Sequence, residues 1–178
     1  MLPLLLLVLV PGSSTHQAAR PARRERPTLA LAIIPARYAS AQGEACLVFS
    51  EGERFHVLLT NQSAQPVTLF QEWNSWGYFG LSFDMTYADG RRVRVEKESR
   101  PWRGNYPSTF TLPPQGSYVF DVTLGPKEWT NSPRPAPRLA QGLACRLRAR
   151  YAIEPSPEAK GMWTGTVVSA ENAYVLWP

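Results

Sequence analysis

From Cys145 onward, Cys145, Leu147, Ala149, Tyr151 and Ile153 occupy every second position, and Arg146, Arg148 and Arg150 stand between them. A period of two marks a strand with one buried and one wet face. Trp163, Val167, Val168, Tyr174, Val175 and Leu176 form a second β-rich run, broken near Ser169 to Asn172 by residues that suit a turn or bulge. The two runs predict a closing hairpin, too amphipathic to stand alone, whose apolar face needs upstream strands to cover it.

The same alternation recurs upstream. Leu29, Leu31 and Ile33 predict a first, edge strand that Pro35 stops, and Cys46 to Phe49 is a shorter apolar segment. Phe55, Val57 and Leu59 alternate with Arg54, His56 and Thr60, and the turn-rich stretch Asn61 to Pro66 leads to Val67 and Leu69, which predicts a hairpin. Leu81, Phe83, Met85 and Tyr87 alternate with Ser82, Asp84 and Thr86, and Asp89-Gly90 supplies a tight turn into Val93 and Val95. Thr109 to Leu112 precedes Pro113-Pro114-Gln115-Gly116, after which Tyr118, Phe120, Val122 and Leu124 alternate with Val119, Asp121 and Thr123. Gly125 to Gly142 is a proline-punctuated crossing loop of the kind that Greek-key arrangements need.

No window supports a long amphipathic helix, and 178 residues suit one core. The expectation is therefore an all-β chain, an antiparallel β-sandwich spanning residues 28–178. Ahead of it, Leu2 to Val10 is an apolar run closed by Pro11 and Gly12, far short of the about 20 residues that span a bilayer. Residues 1–19 read as a signal peptide, so a secreted or periplasmic location is expected. Residues 20–27 read as an Arg- and Pro-rich linker. The first 27 residues carry four arginines against one glutamate, so +3 of the net +5 lies there and the remainder is close to neutral. That distribution argues against a nucleic-acid groove.

Several pieces resemble a known layout. A strand ending in Asn61, the Asn61-Gln62-Ser63 turn, the Asp89-Gly90 hairpin, the Leu112 to Gly116 turn, Arg148 to Tyr151 and Trp163-Thr164-Gly165 resemble immunoglobulin-like domains of exported bacterial proteins. The first half is also similar to the intracellular proteinase inhibitor family, although Gln115 is inserted in its proline-glycine turn. The resemblance implies an immunoglobulin-like, Greek-key sandwich and carries over no inhibitory residue.

Candidate chemistry is sparse. Cys46 and Cys145 are the only cysteines, and in an exported chain they are either a disulfide pair or two buried thiols. His56 is the single histidine beyond the signal-like segment; a lone His rules out most triads and gives a metal one imidazole, so a solvent-facing strand residue is expected. No phosphate loop or CxxC motif occurs, so no catalytic, metal or cofactor residue is assigned and no enzyme activity is expected. The basic positions Arg91, Arg92, Arg94, Lys97 and Arg100, with Arg146, Arg148 and Arg150, read as ladders that keep a sheet soluble. The densest aromatic stretch runs from Trp73 to Phe79, and Trp102 and Tyr106 lie in a later loop. Trp73, Trp76, Tyr78, Trp102 and Tyr106 are thus the candidate partner-binding residues, for a protein or a glycan, against the alternative that they plug an end of the sandwich. A protease inhibitor presenting Arg100 to Ser108 or Lys127 to Arg138 is the second expectation.

Overall fold

Residues 28–34, 45–48, 54–133 and 142–177 are described by a computed structural model, with 45–48 and 177 described in backbone only. The expected signal peptide and linker over 1–27 lie outside the described residues. Twelve strands are present among them: β1 (Leu29–Ile34), β2 (Ala45–Val48), β3 (Phe55–Asn61), β4 (Val67–Phe70), β5 (Leu81–Tyr87), β6 (Arg92–Lys97), β7 (Thr109–Leu112), β8 (Ser117–Val122), β9 (Trp129–Thr130), β10 (Leu143–Ile153), β11 (Gly165–Val168) and β12 (Asn172–Trp177). A four-residue helix α1 (Ser75–Tyr78) and a 3-10 turn at Pro157–Ala159 complete the described elements. The described residues are mostly β-strand with mostly antiparallel pairing, consistent with an all-β chain. No helix among the described residues is long and apolar enough to cross a membrane.

One sheet has the order β1-β3-β8. The larger sheet has the order β2-β12-β10-β5-β6-β9, with β11 also paired to β10, and β4 and β7 form a separate pair. Alternation explains why these segments are strands. In β10 the residues Cys145, Leu147, Ala149, Tyr151 and Ile153 are all buried and those between them are not. β3 does the same with Phe55, Val57 and Leu59. The two buried faces meet, with Phe55 edge-on to Phe83 at 5.7 Å and Phe120 against Tyr151 at 5.6 Å. Each such side chain, taken fully out of water, contributes about 1.5–3 kcal/mol before entropy is charged against it.

The β5–β6 hairpin forms as expected, with Phe83 opposite Val95 and Met85 opposite Val93. Gly90 turns it at φ 83°, a left-handed conformation that favours glycine. The closing hairpin also forms, and its interruption has a mechanism. β11 and β12 both pair with β10, and between them Ser169 donates its N–H to the Ala149 carbonyl while its Oγ accepts from the Ala149 N–H, each at 2.9 Å. One serine replaces the missing ladder rung.

Two expectations are corrected. β3 and β4 are not a hairpin, because β3 pairs with β1 and β8 whereas β4 pairs with β7. The cause is buried Asn61, whose Nδ2 donates to the carbonyls of Gln65, Leu112 and Pro113 and so ties the β3–β4 turn to the β7–β8 turn. Both chain segments therefore leave the three-stranded sheet together. The disulfide reading is not realised either. β12 lies between the strands that carry Cys46 and Cys145, about 10 Å apart at two strand spacings, beyond the reach of a bridge. Cys145 is a free, buried thiol, pushed up to about 12 by burial, and the Cys46 side chain lies outside the described residues.

Candidate functional site

α1 is too short to be stabilised by its own ladder, and its neighbours hold it. Asn74 Oδ1 accepts from the Gly77 N–H at 3.0 Å, and its Nδ2 donates to the Ser108 carbonyl at 2.8 Å. Ser75 and Asn105 then bond reciprocally, the Ser75 N–H to Oδ1 at 3.0 Å and the Asn105 Nδ2 to the Ser75 Oγ at 2.7 Å. The loop 100–108 is thereby pinned onto α1. Gly77 permits this turn, since a Cβ there would lie 2.2 Å from the Gln71 carbonyl oxygen.

The docking creates a ring cluster. Tyr78 and Trp102 meet edge to face at 5.3 Å, and Phe79 lies 5.0 Å from Tyr78 and 6.3 Å from Trp102. The Arg100 guanidinium covers both partners, 4.1 Å from the Tyr78 ring and 4.4 Å from that of Trp102. Tyr78 Oη donates to the Glu98 carbonyl at 3.1 Å. Burial raises the pKa of this phenol, and Arg100 offsets only part of the rise. Phe79 is 46% exposed, so the cluster presents an apolar face to solvent beside a cation.

Of the five sequence candidates, the structure brings Tyr78 and Trp102 into contact. Trp76 turns inward and stacks on Phe70 at 6.1 Å. Trp73, whose Nε1 donates to Gln71 Oε1, and Tyr106 are exposed but make no ring contact with the cluster among the described residues. Phe79 and Arg100 are the members that the candidate set lacked. The plug role falls instead to Trp129, fully buried against Phe83 at 5.3 Å with the Lys97 Nζ over its ring at 4.2 Å.

A cleft of about 630 Å³ adjoins the cluster on the outer face of β10, β5 and β6. Trp76, Phe79 and Ser82 line it together with the charged residues Arg94, Glu96, Lys97, Arg150 and Glu154. Further along the sheet, Asp84 accepts from Arg94 at 2.8 Å and from Arg148 at 3.0 Å, and Arg146 bonds Glu171 at 2.8 Å. Among the described residues, four of the eight ladder residues, Arg94, Lys97, Arg146 and Arg148, thus have a carboxylate partner.

Other titratable groups make no assembled centre. His56 Nδ1 sits 2.9 Å from Asp121 Oδ1 on the exposed side of the small sheet, with Arg54 3.4 Å from the same carboxylate. Among the described residues no Ser, Thr or Cys bonds His56, and no group of three His, Cys, Asp or Glu could hold a metal. Burial raises the pKa of Glu72, partly offset by the Tyr118 hydroxyl donating to it at 2.7 Å. Compared with known proteins, the chain matches no family model, no curated protein and no solved structure.

Proposed function

We propose that this chain is an exported, non-catalytic binding module, an immunoglobulin-like Greek-key sandwich that presents the Tyr78, Phe79, Trp102 and Arg100 cluster to a protein or glycan partner. The observation that carries this reading is the Arg100 guanidinium held over two rings, Tyr78 of α1 and Trp102 of the 100–108 loop. Such pre-ordering lowers the entropy cost of binding, and Trp, Tyr and Arg are the residue types that anchor interfaces. A paired test uses immobilised glycans and peptides, probed with the native chain and with Trp102→Ala. Ligands retained by the native chain and lost by the variant support the proposal, and retention by both removes it.

The pinned 100–108 loop favours one second reading, a protease inhibitor. Residues Arg103 to Pro107 are exposed between anchors at Trp102 and Ser108, a geometry that a protease could grip. The Lys127 to Arg138 loop extends outside the described residues. Residual activity of serine and cysteine proteases, titrated with the native chain, separates this reading from the first.

A further inference from the structure

The outer face of the large sheet carries two cross-strand rows that differ at their centre. In the first, Asp84 of β5 stands opposite Arg148 of β10 on one side and Arg94 of β6 on the other. In the second, Thr86 stands in the same way between Arg146 and Arg92. Long side chains reach across such neighbouring and diagonal positions, so four arginines frame two short residues. Asp84 answers its own row, Oδ1 accepting from Arg94 Nε at 2.8 Å and Oδ2 from Arg148 Nε at 3.0 Å. The Thr86 row has no carboxylate at its centre.

Charge and hydrogen-bonding capacity decide what suits that place. A recess of about 560 Å³ lies here, and Asp84, Thr86, Arg92, Arg94, Arg148 and Glu171 are among the residues that line it. One carboxylate cannot neutralise two guanidiniums, so the Asp84 row keeps one positive charge. Arg146 is balanced by Glu171 at 2.8 Å, whereas Arg92 has no carboxylate partner among the described residues. Four arginines against two carboxylates leave the frame at +2. Both carboxylates are already bonded to arginine. Arg94 and Arg148 use only Nε on Asp84, which leaves their Nη groups, and the whole Arg92 guanidinium, to other acceptors. The cleft beside the ring cluster differs, because the carboxylates of Glu96 and Glu154 line it without a cationic partner among the described residues. A carboxylate ligand would bring two oxygens in one plane. A phosphate or sulfate group brings three or more in a tetrahedron, which three guanidiniums on two strands can share.

We infer that the recess over Thr86 binds a phosphate or sulfate group, held by Arg92 and by the Nη groups of Arg94 and Arg148, with the Thr86 hydroxyl as a further donor. The anion does for the Thr86 row what Asp84 does for its own. The inference stands apart from the ring-cluster reading. The test is titration of the full, nitrogen-labelled chain with inorganic phosphate, sulfate and acetate at constant ionic strength, read as NMR shifts of backbone amides and arginine Nε–H groups. Phosphate or sulfate should move Thr86, Arg92, Arg94 and Arg148 together, and acetate should bind about tenfold more weakly or worse. Arg92→Gln should weaken binding by about tenfold or more. Arg91→Gln removes the same charge from the adjoining turn, where Arg91 lies over the Tyr87 ring, and should change binding little. Thr86→Asp builds in the missing carboxylate and should abolish binding. Arg92 makes no ion pair within the fold, so its variant decides the matter even if Thr86→Asp misfolds. A preference for phosphate or for sulfate tells which ester the site takes, and either supports it. Binding that Arg92→Gln leaves intact, equal losses from the Arg91 and Arg92 variants, acetate as tight as phosphate, or no shift at the four residues overturns the inference.

Discussion

Asn61 shows how much one polar side chain can organise. It is fully buried, its Nδ2 serves three carbonyls, and its Oδ1 accepts from the Ser63 N–H at 3.0 Å and Oγ at 2.7 Å. Replacement by alanine strands those carbonyls, and Asn61→Ala should cost about 2–4 kcal/mol. Urea unfolding measures it, and a loss below about 0.5 kcal/mol would mean that water serves the carbonyls equally well. From sequence the residue looked like a turn former, because nothing local reveals contacts made with Leu112 and Pro113. Asp84 carries a pH consequence. Burial raises its pKa, but the bonds from Arg94 and Arg148 outweigh that and hold the carboxyl below its ordinary 3.8. With the folded pKa lower than the unfolded one, the stabilisation is present above pH 3.8 and is lost as pH falls through the folded value. Asp84→Asn should therefore flatten the acid limb of a stability curve, read as urea midpoints between about pH 2 and 5. An unchanged limb would show that the carboxylate gains nothing from its two arginines.

At the scale of elements, alternation with a turn signal was legible where partners are sequence neighbours. β5 and β6 follow that rule, and Gly90 at φ 83° is the residue on which it depends. Gly90→Val places a β-branched residue in the left-handed region and should lower stability by about 1–2 kcal/mol, measured by thermal unfolding. Beyond its chain neighbours no atom lies within 4 Å of an added Cβ, so the cost is read as backbone strain, and an unchanged midpoint would mean that the turn has relaxed. β3 and β4 carried equally good local signals and still part company. Their partners are chosen by bonds to a turn some fifty residues downstream, which periodicity does not encode. α1 was invisible for another reason: four residues hold barely one helical period, and its support comes from Asn74 and Asn105.

For the molecule as a whole, aromatic density pointed to the right region of the surface but not to the rings that meet there. Tyr78 reaches Trp102 only because Asn105 docks on Ser75, a contact between distant loops. The same inside-outside division makes the tryptophans separable in solution. Trp73 is 48% exposed and Trp129 2%, so acrylamide should quench native fluorescence strongly through the first and hardly through the second. Single Trp73→Phe and Trp129→Phe variants assign the components, and an accessible Trp129 would contradict the packing of the two sheets.

β10 has one more implication, for the order in which the chain can assemble. It bonds β5 upstream and β11 and β12 downstream, so the large sheet has no centre until residues beyond 150 are present. During synthesis the residues before β10 can close the β5–β6 hairpin and bring Phe55 against Phe83, yet the edge of β5 that β10 fills stays unpaired. A chain emerging residue by residue thus keeps that seam open until β10 follows, and the two halves of the large sheet join only then.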